Sequence, residues 1–327
     1  MPPPFNQIFP PAPTFTEKDL DRLVGKVVII TGATSGVGYE LAKMVYSSGA
    51  TTYITGREGE KLRMVGDRIK KEVGETGGRL RLLKLDLADL ESIKASAGEF
   101  LEKERELHVL VHNAGVMVPP AGSRTPMGHD LEIGTNCLGP FLFTQLLLET
   151  MKKSVSLESE LSKVRIVWVA SMMALGTPEG GVIFDKSAGH PKVLKDKMEN
   201  YMQSKAGVTF LASEAAKRYG QDGIISVSVH PGLMKTELQR HGPKIQSILM
   251  SLIFKSPRYG AFTELFAGFS PVVDSQKHNG SYIVPWGRIA NFPQHLAMGM
   301  KAEEEGGNGK AQQFWEWCEQ ETRKFIV

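Results

Sequence analysis

The chain has 327 residues, of which 41% are hydrophobic, 23% charged and 8% aromatic. Those are globular proportions, and they exclude wholesale disorder and fibrous structure. Lys and Arg number 39 against 36 Asp and Glu, a net charge of +3; without a dense basic stripe, this balance gives no footing for a nucleic-acid partner.

Residues 1–24 open as MPPPFNQIFPPAPTF and then turn charged. Proline supplies no ladder N–H, so the segment is expected to run extended over the surface. A docked or frayed tail is favoured over a proline-motif ligand. The opening lacks the basic start and apolar run of a signal peptide. From residue 26 the rhythm is strand, turn, helix. Strands are predicted at 26–31, 51–56, 79–86, 107–113, 164–171, 224–230 and 281–284. Helices are predicted through about residue 48 and over 58–75, 89–105, 128–152 and 198–219. This alternation predicts an α/β fold: a Rossmann-like, doubly wound parallel sheet of about seven strands in a single domain over 25–290. Ligands of such a sheet sit at the carboxyl ends of its strands. The apolar stretch 233–270 breaks the rhythm and is read as a small helical lid. Residues 291–327 are read as a C-terminal helical tail, packed down by Phe314, Trp315 and Trp317.

The first strand ends in TGATSGVG. Gly32, Gly36 and Gly38 allow a tight turn and close backbone approach to a pyrophosphate, and the following helix start offers free N–H groups. Thr34, Ser35 and Val37 complete this candidate phosphate loop. Its spacing is G-x-x-x-G-x-G, neither G-x-G-x-x-G nor a P-loop. An NAD site wants an acid at the end of the second strand; here Thr55-Gly56-Arg57 stands instead. A guanidinium pairs with a phosphate, so NADP(H) is favoured over NAD(H).

YMQSK places Tyr201 and Lys205 four residues apart, on one helix face. A free phenol has a pKa of about 10, and a nearby cation lowers it, which would make Tyr201 a usable general acid/base. The pattern alone is common. In this chain it follows, in one order, the glycine turn, Asn113-Ala114-Gly115 after strand four and Ser171 after strand five. As a set these resemble the short-chain dehydrogenase/reductase family, over about residues 24–285. The long interval from Ser171 to Tyr201, with NAGVMVPP, GTNCLGPF and SYIVPWGR, is similar to the retinol-dehydrogenase-like branch, which includes the oxidoreductase portion of WW-domain oxidoreductases; no WW domain is apparent.

That resemblance implies roles. Tyr201 would exchange a proton with the substrate oxygen, Ser171 would hold that oxygen, and Lys205 would bind the nicotinamide ribose and depress the tyrosine. Asn136 would keep a water in the proton relay. Asp86 with Leu87 would lie at the adenine. Asn113, Ala114 and Gly115 would line the adenosine side. Pro231 and Gly232 after His230 would lie beside the nicotinamide, and Thr236 would contact its amide or a phosphate. His112, in place of the frequent Asn, falls on a strand end and reads as harmless.

The substrate side is expected to include Val116, Met117, Met172, Met173, Leu233 and Met234, flexible side chains suited to an adaptable apolar pocket. The implied activity is NADP(H)-dependent, reversible hydride transfer to an apolar aldehyde or ketone, or from its alcohol. The alternatives are a regulator that senses NADP(H) without turnover and a nucleotide-sugar epimerase or dehydratase. No metal is expected: Cys137 and Cys318 offer neither metal spacing nor a disulfide framework. They fit a reducing, cytoplasmic setting. No apolar run is long enough for a membrane span, and lid packing of 245–255 is favoured over membrane contact. A homodimer through the helices near 136–152 and 198–219 is a further expectation.

Overall fold

The structure, a computed structural model, describes residues 5–157, 164–177, 180–185, 187–234 and 254–326. Its spine is an eight-stranded sheet: β1 Val27–Ile30, β2 Thr51–Gly56, β3 Arg79–Lys84, β4 Val109–His112, β5 Val164–Val169, β6 Ile224–Val229, β7 Tyr282–Val284 and β8 Arg288–Ala290. Their spatial order is β3-β2-β1-β4-β5-β6-β7-β8. The first seven run parallel, and β8 pairs antiparallel with β7. The eighth strand is a three-residue edge returning after β7, too short to register as a periodic run.

Helices cover both faces: α1 Gly36–Ser47, α2 Gly59–Val73, α3 Leu90–Lys103, α4 Gly139–Leu157, α5 Lys197–Tyr219, α6 Pro257–Phe269, α7 Gln294–Met300 and α8 Lys310–Ile326. β1, β4, β5 and β6 are buried along their whole length, as parallel strands with both faces covered must be. One core lies under α3, α4, α5 and α8 and includes Phe100, Phe141, Phe210 and Trp315. The other lies under α1, α2 and α6 and includes Leu41, Ile69, Leu265 and Phe266. Among the described residues no helix is long and apolar enough to cross a membrane.

Three expectations change. The long helix read over 128–152 is broken into a short turn, Leu131–Ile133, a π-helical turn, Gly134–Leu138, and then α4. Of the expected lid, 235–253 lie outside the described residues. Within the rest, α6 is a core helix, with Ala261, Leu265 and Ala267 fully buried and with Arg165 of β5 donating to the carbonyls of Ala267 at 3.1 Å and Ser270 at 3.0 Å. A helix with that much apolar surface is stable only against the sheet. Third, the proline-rich start is partly helical where an extended path is expected. Residues Phe5–Ile8 form one turn, Phe15 packs edge-on against Phe266, and Gln7 is buried.

The C-terminal helix α8 packs as expected: Phe314 and Trp315 are fully buried and Trp317 nearly so. The Trp315 ring meets Phe141 of α4 and Tyr219 of α5 edge-on. Trp315→Ala is expected to lower unfolding stability by roughly 3–5 kcal/mol, read as a lower urea midpoint with an unchanged slope.

Candidate active site

Parallel pairing brings the carboxyl ends of β1 to β6 to one rim. Near its middle, β1 lies between β2 and β4, so the loops after β1 and β4 face one another across a crevice, the usual ligand position of this architecture. The crevice is narrow. Gly32 has φ +66°, and a Cβ added there would come within 2.8 Å of the Ala114 Cα. Gly36 has φ +62°, which an L-residue adopts only with strain. Ser35, extended, precedes α1 as its N-cap without a side-chain capping bond, leaving the first helical N–H groups for another acceptor. Thr34 sets its methyl against Gly56 at the end of β2, beside the exposed Arg57. Val37 is turned into the core against Gly260.

The loop after β4 is stitched to that turn. Asn113 Nδ2 donates to Thr31 O at 2.8 Å and to Gly32 O at 3.3 Å. The Ala114 N–H donates to Thr31 Oγ1 at 3.0 Å. The Asn113 amide therefore holds the scaffold rather than projecting freely. A half-buried Asp86 accepts from the Ala88 N–H at 3.0 Å. The cap of α3 is Asp89. Leu87 is a buried core residue whose carbonyl meets Gly139 of α4.

α5 begins at an N-cap, Asp196, which accepts from the N–H groups of Met198 at 2.8 Å and Glu199 at 2.9 Å. One turn in stands Tyr201, and one turn further Lys205, both buried. Lys205 Nζ donates to Val169 O, the last carbonyl of β5, at 2.8 Å. Two residues beyond Val169, Ser171 accepts from the Met173 N–H at 3.1 Å, which leaves its own proton to be donated elsewhere. Ser171 acts on the Tyr201 phenol and pulls its pKa down. Burial pushes that phenol up to about 12, against the pull of Ser171. Burial also pulls the Lys205 ammonium down to about 8. In the chain itself the phenol is raised by desolvation and not depressed by Lys205, whose ammonium is engaged by a backbone carbonyl.

Asn136 lies in the π turn. It grips Val116 on both sides, Oδ1 accepting from the Val116 N–H at 2.8 Å and Nδ2 donating to Val116 O at 3.0 Å, with a further donation to Ser204 Oγ at 2.9 Å. Both Nδ2 protons are thus taken by protein acceptors, and Oδ1 accepts one bond. Gly115 lies between this amide and Lys205; a Cβ there would stand 3.1 Å from Asn136 Oδ1 and 3.4 Å from Lys205 Nζ.

On the far side, β6 ends in buried His230, then Pro231 and Gly232, the latter at φ +92° against Trp286. The Gly232 N–H donates to His230 Nδ1 at 3.2 Å, so the ring proton sits on Nε2 and is donated to Gln7 Oε1 at 3.2 Å. Met117, Met172, Met173 and Leu233 are half-buried around this rim. Met234 departs from the expected pocket: it is buried against Gly260 of α6, a core contact. Thr236 lies outside the described residues. His112 points away from the site, to Thr144 Oγ1 at 2.7 Å. Sequence reasoning missed Gln7, Glu132 and Asn200. Only Glu132, four residues before Asn136 in a helical stretch, left a spacing signal.

The short chain dehydrogenase family model matches residues 26–245. Short-chain dehydrogenase/reductase bet4 of Neocamarosporium betae is 42% identical, over 98% of this chain and 93% of that protein. Short-chain dehydrogenase/reductase iacJ of Pestalotiopsis fici is 40% identical, over 98% of each. Among solved structures, a protein from Mycobacterium paratuberculosis superposes with TM-score 0.67 at 24% identity, covering 94% of this chain and 97% of that one. A short chain dehydrogenase from Burkholderia cenocepacia J2315 in complex with NADP superposes with TM-score 0.62 at 22% identity, covering 82% and 98%. The chain belongs to the short-chain dehydrogenase/reductase family. It is a family of oxidoreductases that use a nicotinamide cofactor.

Lys205 generates a prediction about stability. Its folded pKa of about 8 lies below the unfolded 10.5, so between those values the unfolded chain binds more protons, and stability rises with pH across that window. The cost of burying the ammonium builds as pH falls from 10.5 and is complete below about 8. Urea unfolding should therefore show Lys205→Met more stable than wild type at pH 7.5, with the difference shrinking by pH 9.5.

Proposed function

We propose that the protein is an NADP(H)-dependent oxidoreductase acting on an apolar aldehyde or ketone, or the corresponding alcohol. The carrying observation is the convergence of Ser171, Tyr201 and Lys205 at one strand end, with Lys205 fixed on the last carbonyl of β5 and Ser171 acting on the Tyr201 phenol. The cradle suits a dinucleotide: Gly32 and Gly36 turn the chain tightly at positive φ, and the start of α1 keeps uncapped N–H groups for a pyrophosphate. When bound, the nicotinamide supplies or accepts the hydride.

The chain's own groups do the rest. Tyr201, held protonated by burial at neutral pH, donates its proton to the oxygen of the carbonyl being reduced. Ser171, whose oxygen is already occupied by the Met173 N–H, aims its hydroxyl proton at the same oxygen and stabilises charge as it develops. Lys205, fixed by Val169 O, places a cation beside Gly115 for the ribose hydroxyls. Asn136 holds Val116 so that the loop keeps this spacing. Exposed Arg57 at the end of β2 would meet the adenosine 2′-phosphate, giving the NADP(H) preference. The half-buried thioethers of Met117, Met172 and Met173, with Leu233, suit an apolar substrate.

Two substitutions test this reading. Tyr201→Phe should lower kcat by about 10²–10⁴-fold in a screen of apolar aldehydes and ketones, with NADPH binding retained; an unchanged rate would remove the mechanism. Arg57→Ala should weaken NADPH about 10–100-fold, the loss of one charge-assisted hydrogen-bonded contact, and leave NADH within about twofold. Equal losses for both cofactors would overturn the assignment of Arg57.

A further inference from the structure

Glu132 is a buried carboxylate that none of the roles above uses. Its Oε1 accepts from the Val118 N–H at 2.7 Å, and its Oε2 accepts from Asn200 Nδ2 at 2.9 Å. Both partners are donors, which suits the ionised form. Asn200 also donates to Asp130 Oδ1 at 3.1 Å and accepts from the Leu194 N–H at 3.0 Å. Three segments are tied through this one side chain: the loop after β4, the turn before the π helix, and the start of α5.

Two further observations give the tie a purpose. Val118 has φ +47°, the one non-glycine residue with positive φ among those described. A β-branched residue holds that conformation only where its surroundings over-determine it, and the Glu132 bond is on the nitrogen of that residue. Secondly, Glu132 and Asn136 are four residues apart on one helical stretch and grip alternate residues of one loop, Val118 and Val116. That loop carries Gly115, which borders Lys205, and Met117. The other end of the tie, Asn200, immediately precedes Tyr201.

We propose, resting on the oxidoreductase reading above, that Glu132 is a positioning residue: its carboxylate locks the loop bearing Gly115 and Met117 against the turn bearing Tyr201, setting the gap in which cofactor and substrate meet. The groups facing it are Asp130 on its own turn, Cys137 in the π turn, and Tyr201 and Lys205 on α5. Its negative charge opposes ionisation of Tyr201 and favours the Lys205 ammonium, so it helps keep the phenol a proton donor.

The test uses Glu132→Gln, which preserves shape but turns an N–H toward one of two donors, and Asn200→Ala, which cuts the bonds to Glu132, Asp130 and the Leu194 N–H and leaves the carboxylate charge. Three quantities are read: amide hydrogen exchange over residues 116–118, steady-state reduction of decanal with NADPH, and its pH profile. In Glu132→Gln, exchange over 116–118 should quicken at least tenfold while β5 stays protected. The kcat should fall at least tenfold with the KM for NADPH within twofold, and the alkaline limb should move to lower pH. Asn200→Ala should lower kcat at least threefold and leave the alkaline limb in place. Unchanged loop exchange in Glu132→Gln overturns the proposal, as does a loss of rate with an unmoved alkaline limb. If Glu132→Gln does not fold, Asn200→Ala decides: an unchanged kcat with unchanged exchange over 116–118 overturns it. If wild type turns over no carbonyl or alcohol with either cofactor, the oxidoreductase reading fails, and the exchange measurement still decides the lock by itself.

Discussion

A buried ammonium must find an acceptor or lose its proton, and the sheet offers one at a fixed place. Lys205 Nζ meets the terminal carbonyl of β5, Val169 O, at 2.8 Å. That contact sets the rotation of α5 about its axis. Once Lys205 points at the end of β5, Tyr201, one turn earlier on the same face, must point at the segment just beyond that strand. Ser171 stands there, two residues past Val169, anchored at the start of a short 3₁₀ turn by the Met173 N–H. The triad is thus a consequence of helical period meeting strand end. It does not depend on a flexible loop finding its place.

The opposite wall is built differently. Between β1 and β4 the chain relies on side-chain amides and hydroxyls that pair with backbone: Asn113 on Thr31 and Gly32, Thr31 on Ala114, Asn136 on Val116. These residues occupy the positions where family resemblance places ligand contacts, and their first duty in this chain is to hold loop to loop. The two duties agree. A loop whose polar backbone groups are met by asparagine keeps its glycines, Gly32 and Gly115, at the surface of the crevice. At Gly32 the two loops meet with no side chain between them, Ala114 standing 2.8 Å from where a Cβ would be.

Much of this is legible in the residues. The strand runs are β-branched and apolar on both faces, which points to a buried parallel sheet, and the glycine turn, Ser171 and Y-x-x-x-K each fall where a strand end or helix turn must put them. The features that escape have physical causes. β8 is three residues long and antiparallel, with no period to read. The π turn interrupts a continuous apolar pattern, because Gly134–Leu138 differ from an α-helix only in which carbonyl each N–H meets. α6 reads as a lid because apolar composition says that a helix is covered, not by what. Met234 shares that ambiguity, its thioether serving the core as readily as a pocket. The proline-rich start gives no sign that Gln7 reaches His230, a contact 223 residues apart in sequence.

The ionisation states are set by the same burial that builds the site. Desolvation favours whichever form is neutral: Tyr201 keeps its proton to about 12, Lys205 releases its own near 8, and His230 is held neutral down to about 3. Glu264 on α6, fully buried with neither oxygen hydrogen-bonded, is pushed up to about 8 and stays a neutral acid at pH 7. Glu132 is raised by the same burial, against the Asn200 and Val118 donors that favour its ionised form. In so dry a place one charge acts strongly on another. The packing that positions the groups is also what sets their chemistry.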